Sequence, residues 1–132
     1  MQNASEPSDE ALLAAARTAR EHAYAPYSAV SVGAALLCED GTIVTACNVE
    51  NASYGLSLCA ERAAVAAAVG SGKRRFATLA IVGPEPGTTP PCGACRQVLH
   101  EFAPALRVLY NDGDGYEVTT LAELLPAAFE LP

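Results

Sequence analysis

The chain has 132 residues, 51% of them hydrophobic, which suits one domain, 1–132, with a real core. Its net charge is −7, from 8 Lys+Arg against 15 Asp+Glu, and the one basic run is Lys73-Arg74-Arg75 beside a glycine turn. That balance argues against a polynucleotide partner, which calls for a basic face, and favours a small uncharged or cationic ligand.

Residues 1–7 read as a polar, flexible tail with neither the basic nor the apolar region of a signal peptide. Ser8 caps a helix predicted over 9–23, with Asp9 and Glu10 at its positive end and Leu12, Ala15, Ala16, Ala19 and Ala23 on one face. Pro26 stops it. Strands are expected at Val30–Cys38 and Thr42–Cys47, joined by a hairpin at Glu39-Asp40-Gly41. A polar turn, "NVENASYGLS", follows. Cys59 then opens an alanine-rich helix to about Val69, closed by Gly70.

Ala77–Gly83 reads as a strand covered on both faces, and "PEPGTTPP" as a loop. The run Ala77–Gly83 is far too short to span a membrane. A helix is expected at 93–102, strands at 106–110 and 116–119 around an Asp-Gly-Asp-Gly turn, and a last helix opened by the capping box Thr120/Glu123. The predicted class is α/β: three layers, a mixed sheet of about five strands with helices on both faces.

The chemistry centres on Cys59, Cys92 and Cys95. Five cysteines cannot all pair within one chain, so reduced thiols and a cytoplasmic location are expected. Cys92 and Cys95 at i and i+3 share one side of a helix start, where a thiol loses its proton more readily. A redox pair is therefore one reading. A closed cage of four sulfurs, completed by Cys38 or Cys47, is a second, although burial in a strand is the commoner fate of those two. The third uses Cys59, Cys92 and Cys95 to hold one Zn2+ per chain with a fourth position open, the pattern of catalytic rather than structural zinc.

Glu61, two positions after Cys59, adds weight to the third. A carboxylate beside an open zinc position can move protons for an attacking water. Alone it would be a helix surface charge. Together, Cys59-Ala60-Glu61 and Pro91-Cys92-x-x-Cys95 form the zinc deaminase signature, with a glutamate that is not a ligand. Such a zinc cluster is net negative, and Arg62, at i+3 from Cys59, can donate to the sulfurs and offset it; the plainer alternative is a surface ion pair. The cluster would raise the pKa of Glu61 and the helix N-terminus would lower it. His22 and His100 fall outside the pattern as ordinary surface or partly buried residues.

Beyond these motifs, "GAALLCEDG", "CNVENASYG", "LCAERAA", "PCGACRQVL" and "ELLPAAF" together resemble the small, homotetrameric, zinc-dependent class of cytidine deaminases, from Tyr24 to Phe129. The resemblance implies hydrolysis of cytidine and deoxycytidine to uridine and deoxyuridine with release of ammonia, in pyrimidine salvage. It implies Cys59, Cys92 and Cys95 as zinc ligands, Glu61 as the catalytic proton carrier and Arg62 against the thiolates. It assigns Asn48, Glu50, Tyr54, Ala60 and Phe129 to substrate binding. Asn48 and Glu50 would meet the ribose 3′-hydroxyl, and the Ala60 N–H the pyrimidine carbonyl. Phe129 would reach a neighbouring subunit's pocket in a homotetramer with shared active sites.

Where the family often has Phe, two residues after the Ser of "PYS", this chain has Val30. The carboxylate and amide of "NVEN" also suit hydroxyls and repel phosphate on their own account, the alternative being an Asx-rich turn. A blasticidin-type antibiotic deaminase shares the cysteine pattern. Nucleic-acid deaminases fit less well, and a structural-zinc or redox protein leaves Glu61 and "NVEN" unexplained.

Overall fold

The computed structural model describes residues 6–132, so most of the expected tail lies outside the described residues. Helix α1 (Asp9–Arg20) begins where its cap requires: Ser8 Oγ accepts from the Ala11 N–H at 3.1 Å. It ends three residues earlier than expected. Residues 21–23 tighten into i→i−3 turns, and Tyr24 pairs with Asn48 and Glu50 instead of continuing the helix.

Strands β1 (Gly33–Cys38) and β2 (Ile43–Cys47) form the predicted antiparallel hairpin, with Gly41 at φ 90° in its turn. β1 starts at Gly33 rather than Val30. The Val30 carbonyl and Val32 N–H are taken by the Asn48 side chain, which removes them from the ladder. At Gly33 α1 lies directly against the sheet: a Cβ there would come within 1.9 Å of the Ala16 carbonyl oxygen.

After a short 3-10 helix, Tyr54–Leu56, come α2 (Ala60–Gly70) and β3 (Phe76–Val82). α2 runs through Gly70, and the left-handed backbone falls at Gly72. The expected loop at 84–91 contains a short strand, β4 (Gly87–Thr88). Then follow α3 (Gly93–Phe102), β5 (Arg107–Gly113), β6 (Gly115–Thr120) and α4 (Leu121–Leu124). Thr120 caps α4 through the Glu123 N–H, as the capping box predicts.

The mixed sheet has six strands. β2, β1 and β3 are antiparallel neighbours, β3 and β5 are parallel, and β6 lies antiparallel to β5. β4 is the strand beyond the expected five and pairs with the far end of β5.

Alternation along β1 and β3 sorts the core into two layers. Ala35, Leu37, Ala80, Val82 and Leu109 pack with Leu12, Leu13 and Ala16 of α1. Ala34, Leu36, Leu79, Ile81 and Val108 face the other way, against Ala60, Ala64 and Ala68 of α2 and Leu99 of α3. This gives the expected three layers and explains why every residue of β1 is buried. The small side chains of α2 let it lie close to the sheet, bringing its first turn beside that of α3.

Candidate active site

Two helix starts meet on one side of the sheet. Cys59 is the N-cap of α2, Cys92 the N-cap of α3, and Cys95 sits in the first turn of α3. The three Sγ atoms lie within 4.8 Å of one another. Tetrahedral zinc with Zn–S bonds of about 2.3 Å places its sulfurs about 3.8 Å apart, so small shifts would close this trio on an ion. Cys38 is buried in the core and Cys47 lies in β2; among the described residues neither belongs to the trio. The four-sulfur cage is thereby replaced by a three-sulfur site. All five cysteines are free thiols.

The charge environment favours a metal. The Cys95 N–H donates to Cys92 Sγ at 3.4 Å, and Arg62 Nη2 to Cys59 Sγ at 3.4 Å. A hydrogen bond from the Cys95 thiol, aided by Arg62, holds Cys59 well below the usual thiol range against the opposing effect of burial. Cys95, the donor of that bond, is held high in return. The N-termini of α2 and α3 add positive potential. Arg62 Nε is buried without a partner, so this guanidinium keeps an open donor at the sulfur site. These features fit a bound cation with thiolate ligands.

Glu61 occupies the second position of α2 and is only 5% exposed. Burial above all, then the negative charge of Cys59, pushes its carboxyl above the usual carboxylate range, despite opposing hydrogen bonds. Burial, a cause that the sequence does not show, is thus the leading one. A carboxyl with a raised pKa, next to three sulfurs, is suited to taking up and releasing protons.

A cleft of about 340 Å3 opens onto this cluster, lined by Asn48, Glu50 and Tyr54 on one side and Thr89 and Pro90 on the other. Ala60 is fully buried at the first position of α2. Asn48 accepts from the Val32 N–H at 2.8 Å and donates to the Val30 carbonyl at 2.8 Å. Glu50 accepts from the N–H groups of Tyr27 and Ser28, and from the Ser28 hydroxyl. Tyr54 is exposed, its ring edge-on to Tyr27 with centroids 6.0 Å apart. Seven of the expected site residues therefore share one cleft with Cys92, and Cys95 sits behind it.

Phe129 does not join them. It is 69% exposed, and its carbonyl accepts from Gln97 of α3 at 2.9 Å. His100 pairs with Glu130 at 2.7 Å, His22 is exposed, and neither approaches the sulfurs.

Sequence reasoning missed two residues that shape the cleft. Asn111, fully buried in β5, accepts from the Gly83 N–H and donates to the carbonyls of Gly87 and Pro84. It shapes the loop that leads to Thr89, Pro90 and Cys92. The signal was a polar residue at the end of an apolar strand, hidden among the turn residues that follow it. Arg96 donates to the Pro91 carbonyl at 2.7 Å and the Leu124 carbonyl at 2.8 Å, fixing the approach to Cys92.

Comparison with known proteins agrees with this geometry. The sequence pattern of a family described as "Cytidine and deoxycytidylate deaminase zinc-binding region" matches residues 6–111. A cytidine deaminase of Sporosarcina psychrophila is 51% identical over 122 residues, covering 91% of this chain and 90% of that protein. The crystal structure of cytidine deaminase from Burkholderia pseudomallei superposes with a TM-score of 0.89 at 50% identity, covering 93% of this chain and 100% of that one. A blasticidin-S deaminase of Bacillus cereus is 30% identical over 106 residues, covering 74% of this chain and 76% of that protein. With three converging sulfurs, a buried glutamate beside them and these matches along most of its length, the chain belongs to the cytidine and deoxycytidylate deaminase family.

Proposed function

We propose that this chain, acting as one domain in the cytoplasm, hydrolyses cytidine and deoxycytidine to uridine and deoxyuridine with release of ammonia. The observation that carries this is the buried Glu61 beside the Cys59, Cys92 and Cys95 sulfurs at the floor of an open cleft. Zinc held by these three cysteines supplies a Lewis acid that makes water nucleophilic at neutral pH.

Glu61 moves the protons. It takes one from the attacking water and places it on ring N3 as the new C4–O bond forms. It then carries the remaining proton of that water to the amino group as the C4–N bond breaks, so ammonia leaves and the 4-oxo pyrimidine remains. Its raised pKa supports both directions of transfer. Arg62 balances the charge of the thiolates through Cys59.

Asn48 and Glu50 meet the sugar hydroxyls. With two backbone hydrogen bonds already made, Asn48 keeps one N–H and one lone pair for ligand. The Ala60 N–H, at the start of α2, meets the pyrimidine carbonyl, and Tyr54 borders the sugar. Phe129, held outward on α3, completes a neighbour's site in a homotetramer; its exposure supports that role. Val30, 43% exposed, offers less surface than an aromatic side chain.

The decisive test pairs a zinc determination with ultraviolet assays on cytidine, deoxycytidine, CMP and blasticidin S. Turnover of the first two, with CMP rejected, is expected. Glu61→Gln should keep zinc and lower kcat by about four orders of magnitude. Preference for blasticidin S over cytidine would overturn the substrate assignment, and a Glu61→Gln protein near full activity would overturn the proton carrier.

A further inference from the structure

Glu50 is held in a cradle that leaves little of its carboxylate free. Oε1 accepts from the N–H of Tyr27 at 3.0 Å and of Ser28 at 3.1 Å, which uses both of its lone pairs. Oε2 accepts the Ser28 hydroxyl and keeps one. The Ser28 oxygen in turn accepts from the Val30 N–H at 3.0 Å. The backbone between these two residues is unusual. Ala29 lies at φ 60°, in the left-handed region, with its N–H on the Ala25 carbonyl at 3.0 Å. A non-glycine residue is strained there, and the strain persists only because the surrounding bonds hold it. The segment 25–30 thus wraps one carboxylate from a second element, and Ser28 is the single side chain in the wrap.

We propose that Ser28 is a positioning residue for substrate discrimination: it orients Glu50 so that Oε2 presents one acceptor site to the cleft. This rests on the reading of Glu50 as the acceptor of a sugar hydroxyl. A carboxylate with one open site takes one hydroxyl in one direction. Without the Ser28 hydroxyl, Oε2 has two open sites, water competes for them, and the Val30 N–H loses its partner. The ionised form is also favoured by Ser28, whose hydroxyl is the leading cause holding the Glu50 carboxyl below the usual range.

The experiment compares cytidine with 2′,3′-dideoxycytidine, which lacks both secondary hydroxyls, on zinc-loaded wild type, Ser28→Ala, Ser28→Thr and Glu50→Ala. Ser28→Ala is expected to raise the cytidine KM about tenfold while kcat holds within about twofold. The dideoxynucleoside should change little, so the preference for cytidine narrows as it does in Glu50→Ala. Ser28→Thr keeps a hydroxyl and should restore the preference.

Equal losses on both nucleosides in Ser28→Ala, with Glu50→Ala still narrowing the preference, overturn the proposal and leave the Glu50 reading standing. A preference untouched by Glu50→Ala overturns both. If Ser28→Ala does not fold, Ser28→Thr against Ser28→Cys carries the test, because a thiol is the weaker donor. An equal preference in those two overturns the proposal.

Discussion

Replacing Asn111 by leucine removes three hydrogen bonds while keeping the branched shape of the side chain. The Gly83 N–H, buried behind β3, loses its acceptor at 2.9 Å. Leaving a buried donor unpaired costs about 2 kcal/mol, and the 2.8 Å bond to the Gly87 carbonyl adds about 1 kcal/mol. The 3.3 Å contact with the Pro84 carbonyl adds little, since exposed Pro84 can be hydrated. The sum is about 3 kcal/mol. At roughly 2.1 cal/mol/K of unfolding entropy per residue, a chain of this length loses roughly 3–4 °C of Tm per kcal/mol, so a fall of about 10 °C is expected. Circular dichroism melts would measure it, with zinc per chain determined alongside, because the loop that Asn111 holds leads to Cys92. Asn111→Asp keeps the Gly83 bond but sets a carboxylate against two carbonyl oxygens, and should lose no less. A leucine variant melting within about 2 °C of wild type would show that Asn111 does not hold the loop.

Arg62→Gln removes the donor at Cys59 Sγ and should lower zinc affinity or turnover by about 10–100-fold, read by metal competition and kcat; unchanged values would remove its role. Phe129→Ala should raise KM roughly tenfold with kcat retained if it stacks on a neighbour's bound base, whereas unaltered KM would discard the shared site. Asp9 is paired with Arg107 through two bonds, at 2.6 and 2.8 Å, and that hydrogen bonding is the leading cause holding its carboxyl below the usual value of 3.8. A depressed pKa means the pair stabilises above that value and the contribution fades as pH falls through the folded pKa. Asp9→Asn should therefore cost under about 1 kcal/mol at pH 7, the pair being partly exposed, and the cost should fade as pH falls through the lowered folded pKa. A Tm gap independent of pH would contradict this.

Much of the fold was legible because its signals are local. Ser8 and Thr120 cap the helices that they announce, and Asp40-Gly41 makes the hairpin turn. Boundaries failed where a distant group competed for the backbone. β1 lost its first three expected residues to the Asn48 side chain, and α1 its last three to turns and to pairing between Tyr24 and the 48–50 segment. The short β4 was invisible in "PEPGTTPP" because proline and glycine mark a turn, and only β5, more than twenty residues on, supplies its partner.

At the site, the conjunction of two short motifs singled out Cys59, Glu61, Cys92 and Cys95 as candidates, since helix starts place i, i+2 and i+3 in fixed relation. Whether a fourth sulfur joined them, how deeply Glu61 was buried, and what held Glu50 and the 83–88 loop depended on groups far apart in the chain. Residue type and short-range spacing determine which chemistry is available, because they act through bonds a few residues long. Tertiary structure decides which groups meet and in what dielectric, because sheet pairing brings α2 and α3 side by side and excludes water from the carboxyl between them.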